Sequence, residues 1–298
     1  LCRIADTIED SPELPDAERP GLLSRFAASL EAPESDLSPL VRPFAEAESP
    51  DALLVANSAA VLRRYWRLPA ADQSSMRGPI TTMCHGMGRF VQSFRRGTRG
   101  LEGPANLAEL EEYCYYVAGT VGELLTELFC LHMRHNAEAR YPQLLRLARG
   151  YGLGLQLTNI IRDMRDDSAQ GRRYFPRELG DPEDERSNEV LQRRALTHLE
   201  DGLNYCTSLP RAELRIRLFC LMPLILAART LRLIAQSRLG PTGPLRIKVS
   251  RPGVYALLSL CVIAAPSNQL IRLFYRSVAP GGLHPAAVDQ GISARLPP

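Results

Sequence analysis

Six carboxylates fall in two short runs, each with the spacing that places acids on one side of a helix. Asp6, Glu9 and Asp10 lie in LCRIADTIED, and Asp163, Asp166 and Asp167 close QLTNIIRDMRDD. Residues three and four apart share a helical face, where like charges repel. Such a cluster persists when it is solvated or when a cation neutralises it. Each run alone reads more simply as a solvated helix end. Together they fit carboxylates that keep water and meet a phosphate, the usual surroundings of Mg²⁺. Two such clusters on facing helices would hold several Mg²⁺ ions bridged by a diphosphate. The ions would stabilise the charge that develops as the diphosphate leaves. Asn159 and Gln156 lie one and two turns ahead of Asp163 on the same face. Arg162, Arg172 and Arg173 flank the second run. Arginine grips phosphate through paired hydrogen bonds, and pairing with neighbouring acids is the alternative reading.

The elements that must position these groups read as helices. Leu107, Leu110, Cys114, Val117, Val121, Leu124 and Leu128 step by three and four, the stripe of an amphipathic helix. The same period predicts helices at 16–30, 51–65, 70–95, 140–167, 187–208, 211–238 and 252–277. No stretch alternates long enough for a strand. Pro/Gly clusters such as EAPESDLSP, RRGTRGLEGP and RLGPTGP mark the breaks. The predicted fold is all-α, a single domain over 1–298, with a frayed tail from about 280. Leu1 begins inside a helical pattern with no capping residue before it, so a preceding piece of chain is expected.

Composition excludes several classes. A net charge of +3 leaves no nucleic-acid footprint. Seven cysteines without paired spacing read as reduced core residues of a cytoplasmic protein. The apolar runs Leu218 to Ala228 and Val254 to Ala265 are too short to span a bilayer and read as core helices, with a dip into the membrane surface as the minority reading. His132 and His135 share a helical face without a third ligand nearby and read as surface residues.

DTIED, YCYYVAGTVG, LQLTNIIRDMRDD, GRRYFP and FCLMP, followed by RIKVSRPGV, resemble the squalene/phytoene synthase family and keep its order. The resemblance implies a class I prenyl synthase helical bundle around a central cavity. It also implies that two molecules of farnesyl diphosphate are joined head to head through presqualene diphosphate. Carried over, the metal-binding acids are Asp6, Glu9, Asp10, Asp163, Asp166 and Asp167, with Glu common in the family where this chain has Asp166. Tyr116 falls on the tyrosine that the family assigns to proton removal during cyclopropanation. A neutral phenol is a weak base, but a proton beside a carbocation is acidic enough for one. A core aromatic is the plainer reading of Tyr116. Gly119 and Gly122 would make room for a prenyl chain, or else for close helix packing, at a cost of about 1 kcal/mol each against alanine.

Within the family the motifs lie nearest the reducing, squalene-forming branch, a farnesyl-diphosphate farnesyltransferase using NADPH. The resemblance puts the nicotinamide site near Asn159 and Arg162 and near the loop carrying Lys248 and Arg251. The alternatives are a non-reducing branch giving dehydrosqualene, phytoene or hydroxysqualene, and a non-catalytic assembly factor of the same fold. The C-terminal membrane helix of eukaryotic members is not seen in the sequence, so a bacterial-type soluble or peripheral enzyme is expected.

Overall fold

The structure, a computed structural model, describes residues 1–11, 14–46, 48–91, 96–97, 100–101, 103–133, 140–237 and 249–281. Its helices run α1 (Cys2–Asp10), α2 (Arg19–Ala28), α3 (Ser38–Val41), α4 (Pro50–Ala56), α5 (Ser58–Tyr65), α6 (Ala70–Phe90) and α7 (Leu107–Cys114). They continue as α8 (Thr120–Met133), α9 (Tyr141–Ala169), α10 (Glu185–Ser208), α11 (Leu214–Gln236), α12 (Arg251–Ala264) and α13 (Asn268–Val278). The all-α expectation holds. A minimal antiparallel ribbon pairs Arg96–Gly97 with Gly100–Leu101.

Local chemistry sets the helix ends. Ser49, Asn106 and Asp184 accept backbone N–H bonds at the starts of α4, α7 and α10, the standard N-cap contact. The predicted helix at 252–277 is two helices. Pro266 has no N–H to extend the ladder of α12, and Ser267, in extended conformation, then caps α13 by accepting from Leu270 N at 3.4 Å. The predicted 51–65 helix breaks at Asn57, and that at 70–95 ends at Phe90. The stripe from Leu107 is interrupted by one π-helical turn, Tyr115–Gly119, which joins α7 to α8. A π turn widens the helix locally and is often found at functional sites.

The long α9 lies at the centre, touching α7, α8, α10, α11 and the π turn. Its backbone approaches its neighbours closely. A methyl on Gly152 would lie 2.4 Å from the Ala118 carbonyl oxygen, and one on Gly122 would lie 2.5 Å from that of Ala148. The space at Gly122 is therefore filled by α9, and that at Gly119 by Tyr115 and Leu153. Packing is what these two glycines make room for, rather than an open prenyl path.

Helix α11 extends beyond the apolar run noted in the sequence. At 23 residues it is long and apolar enough to cross a membrane, yet half of its most apolar window is buried inside the fold. It packs on α9, α10, α12 and α13 as a core helix. The fully buried Arg217 fastens it in place, donating to the carbonyls of Leu209 and Ala265 and to Asn268 Oδ1. All seven cysteines are free thiols, as expected.

Candidate active site

Helix α1 carries the first acidic run. Its C-terminal carbonyls have no partner within the helix, and a buried arginine supplies one. Arg19 donates to the backbone oxygens of Glu9 (2.5 Å), Ser11 (2.7 Å) and Leu14 (2.9 Å). The end of α1 is thereby fixed, and Asp10 with it. Asp6, one turn earlier, pairs with Arg3 at 2.8 Å, and Arg3 reaches on to Asp51 at 2.6 Å. Burial, then the neighbouring Asp10, pushes the Asp6 carboxyl up.

Helix α9 carries the second run at its C-terminal end, which closes in a Schellman turn. Gly171 N–H bonds to the Ser168 carbonyl (3.0 Å) and Arg172 N–H to the Asp167 carbonyl (2.8 Å). Gly171 has φ +74°, the left-handed conformation that glycine adopts without penalty. This turn folds Arg172 back over the acids. Its Nη1 meets Asp10 at 2.5 Å, and its Nη2 lies 3.4 Å from Asp167. One guanidinium thus bridges the two acidic runs. Arg162 makes a two-pronged pair with Asp163 beside it. Arg173 donates to the Gly180 carbonyl at 3.4 Å.

The carboxylates crowd one another. Burial, reinforced by Asp163, Asp10 and Asp166, lifts the Asp167 carboxyl to about 6 against the pull of Arg172. Among the described residues no three carboxylates converge on one point as a closed ligand set. Mg²⁺ needs no such set, since it keeps several waters and takes one or two carboxylates together with phosphate oxygens. Excess negative potential is the chemical setting that fits it, and here Arg3, Arg162 and Arg172 answer part of it. Gln156 is half-buried and Asn159 exposed on α9, while Asp166 is half-buried near Asp167.

A row of aromatic rings leads inward. Tyr174 and Tyr113 stack at 5.4 Å, and burial followed by the charges of Glu9 and Asp10 pushes Tyr174 above its ordinary range. Phe90 sits 5.7 Å from Tyr113 and 6.2 Å from Tyr116. Tyr116, in the π turn, is 8% exposed. Its ring lies against Gly86, where a methyl would fall 1.9 Å from Cγ. Arg89 donates to Tyr116 Oη at 3.2 Å, stands over its ring, and pairs with Glu112 at 2.8 Å. Sequence reasoning missed Gly86, Arg89, Arg19 and Tyr174. Usable signals existed for Gly86, as a glycine inside a predicted helix, and for Tyr174, which lies within the run GRRYFP.

One turn from Asp6 along α1, Cys2 lines a largely apolar cavity of about 480 Å³ with Val61, Met76, Ile80 and Leu124, to which Arg64 and Arg67 also contribute. A hollow of about 630 Å³ between α2–α3 and α5 contains none of the candidate site residues. Arg251 is exposed in the first turn of α12. Lys248, His135 and the tail from 282 lie outside the described residues. His132 is exposed and pairs with Glu213 at 3.6 Å.

A sequence model of squalene/phytoene synthases matches residues 1–252. The chain belongs to the squalene/phytoene synthase family. It is 31% identical to the squalene synthase of Cyberlindnera jadinii over 192 residues, 59% of this chain and 42% of that one. It is 27% identical to the squalene synthase of Saccharomyces cerevisiae over 256 residues, 80% of this chain and 54% of that one. The chain thus spans about half the length of these relatives. A solved complex of TcSQS with the ligand BPH1237 shares its fold, with TM-score 0.72 and 24% identity over 93% of this chain and 79% of that one. The relatives named here are fungal, and neither speaks for the bacterial type expected from the sequence.

Proposed function

We propose that this chain is a squalene synthase, joining two farnesyl diphosphates head to head through presqualene diphosphate and reducing the product with NADPH. The observation that carries the reading is the bridge from Asp10 through Arg172 to Asp167, which brings both acidic runs to one mouth. Asp6, Glu9 and Asp10 on one side, and Asp163, Asp166 and Asp167 on the other, would hold Mg²⁺. The metal, when bound, supplies positive charge to the departing diphosphate.

The chain's own residues do the rest. Arg172 and Arg162, now paired to acids, are guanidiniums of the type that grips phosphate oxygens in two places. Glu9 lies beside the Tyr113–Tyr174 stack. The rings of Phe90 and Tyr116 offer π faces to a carbocation, and Tyr116 Oη is the acceptor for the proton lost on cyclopropanation. The cavity beside Cys2 and Leu124 falls in the size range of pockets for ligands of this kind, and its apolar walls suit a prenyl chain. Arg162, Asn159, Lys248 and Arg251 are the proposed contacts to NADPH. An apolar product calls for a peripheral contact with membrane.

Incubation with farnesyl diphosphate and Mg²⁺, with and without NADPH, tests the reading by mass spectrometry of the products. Squalene formed only with NADPH is expected. Dehydrosqualene, phytoene or hydroxysqualene formed regardless of NADPH would move the chain to a non-reducing branch. No turnover of farnesyl diphosphate at all would favour the assembly-factor reading.

A further inference from the structure

Helix α12 reverses the usual arrangement of a surface helix. A helix packed on a core normally turns charged and polar residues to water. Here Cys261 and Ala264 face inward, while Tyr255, Leu260, Val262 and Ile263 face out, Tyr255 being 70% and Ile263 66% exposed. Tyr255, Ser259 and Val262 follow one another along the centre of this outer face, with Leu260 and Ile263 beside them. Helix α13, packed against α12, adds the exposed Leu270 and Leu273. Contiguous apolar surface of this kind on a soluble fold marks an interaction site.

The charges around it have one sign. From Leu214 to Val288 the sequence has ten Lys/Arg and no Asp or Glu, and every acid but Asp289 lies at or before Glu213. Exposed Arg215 on α11, Arg251 at the start of α12, and Arg272 and Arg276 on α13 belong to this layer. Two of them also have neighbours on α10: Arg272 donates to Thr207 Oγ1 at 3.0 Å, and Arg276 lies near Glu200. The buried Arg217 ties α11 to the α12–α13 turn, so the layer is held as one piece.

We infer that the outer face of α12 and α13 docks in the plane of an anionic phospholipid bilayer. Tyr255, Val262 and Ile263 would enter the headgroup–acyl boundary, with the surrounding arginines on the lipid phosphates. An apolar helix face rimmed by arginine is the pattern of an interfacial helix, and an acid-free layer meets no repulsion from anionic lipid. The inference rests on the membrane contact proposed above and names the face that makes it. A second copy of the chain is a poorer occupant, because it would bring the same cations against themselves.

Flotation of the full chain with vesicles tests this. Phosphatidylglycerol–phosphatidylcholine vesicles should carry the protein, and pure phosphatidylcholine vesicles should carry far less. Tyr255→Glu and Ile263→Glu should each weaken binding roughly tenfold. The pair Arg215→Gln and Arg276→Gln should weaken it about fivefold per charge at low salt. Ser259→Leu, at the middle of the face, should tighten binding with the melting temperature unchanged, which separates the gain from a folding defect. Leu53→Glu, an exposed apolar site on α4, should leave binding unchanged. Binding that survives the α12 substitutions would place the membrane contact on another face and overturn the assignment. Absence of binding to either vesicle would overturn it too, as would self-association abolished by Ile263→Glu, which would make the face an interface between copies. The readout is flotation, so it stands or falls separately from the identity of the product.

Discussion

Arg172 Nη1 lies 2.5 Å from Asp10 Oδ1, across a sequence separation of 162 residues. The same side chain touches Asp167, so one arginine neutralises acids from both ends of the site. Arg172→Ala should lower farnesyl diphosphate turnover roughly 100-fold, since charge-assisted donors to phosphate are worth about 2–4 kcal/mol. A separate measurement checks the competition with metal. Mg²⁺ alone should raise the melting temperature of Arg172→Ala more than that of the parent chain, because no guanidinium remains in the way. An equal response would remove the idea that arginine and metal share the space.

Asp6→Asn combined with Asp163→Asn should abolish activity while leaving the fold intact, because both side chains are partly exposed. A loss of about a thousandfold or more is expected for acids that hold a catalytic metal. Turnover within tenfold of the parent enzyme would sink the metal assignment.

Tyr116→Phe keeps the ring against Gly86 and removes only the hydroxyl. Presqualene diphosphate formation should fall about 100-fold or more, the scale of a lost proton acceptor. Reduction of supplied presqualene diphosphate should change much less. Parallel loss of both half-reactions would make Tyr116 a packing residue.

Gly86→Ala places a methyl where the Tyr116 ring stands. Overpacking of this kind costs about 1–3 kcal/mol, so thermal melting should drop by several degrees and activity should fall with it. An unchanged melting temperature would show that the ring moves aside freely.

Glu111 gives the fold a dependence on acid. Its carboxyl is 1% exposed and is held by Arg194 and by His198 at 2.9 Å. Burial pushes it up, but the bonds from His198 and Arg194 outweigh that and leave it at about 2, against an ordinary 4.5. A depressed carboxyl stabilises the fold fully above its unfolded value. That stabilisation, about 3 kcal/mol, is lost as pH falls from there toward the folded value. Denaturant unfolding between pH 5 and 2 should show the loss. Glu111→Gln should be less stable at neutral pH, having removed the negative partner of Arg194 and His198, and should show a flatter profile. A mutant profile parallel to the parent's would remove Glu111 from the account.

Much of this was legible in the sequence because it is local. The acids at the end of α9, the length of that helix and the run on α1 follow from period and spacing. The turn that aims Arg172 was legible in principle too, since a glycine just past a helix is the usual sign of such a turn. The π turn at Tyr115–Gly119 was not, because its residues fit the ordinary helical stripe, and only contacts with α6 and α9 single it out. Gly119 and Gly122 left two readings open for a similar reason. A missing side chain announces space without saying what fills it, and here the neighbouring backbone does. Arg19 reads as one more charge near a helix start, yet it serves the end of a different helix.

The Schellman turn at Gly171 has a consequence for the order of events at the site. It fixes the backbone of Arg172 to the carbonyl of Asp167, so the guanidinium is a tethered counter-ion at high effective concentration. A lone divalent cation must compete with that tether, whereas a diphosphate arriving with its metal offers the arginine a new anion as it is displaced. If the site takes Mg²⁺ as proposed, the turn would favour loading of metal and substrate together over loading of metal first.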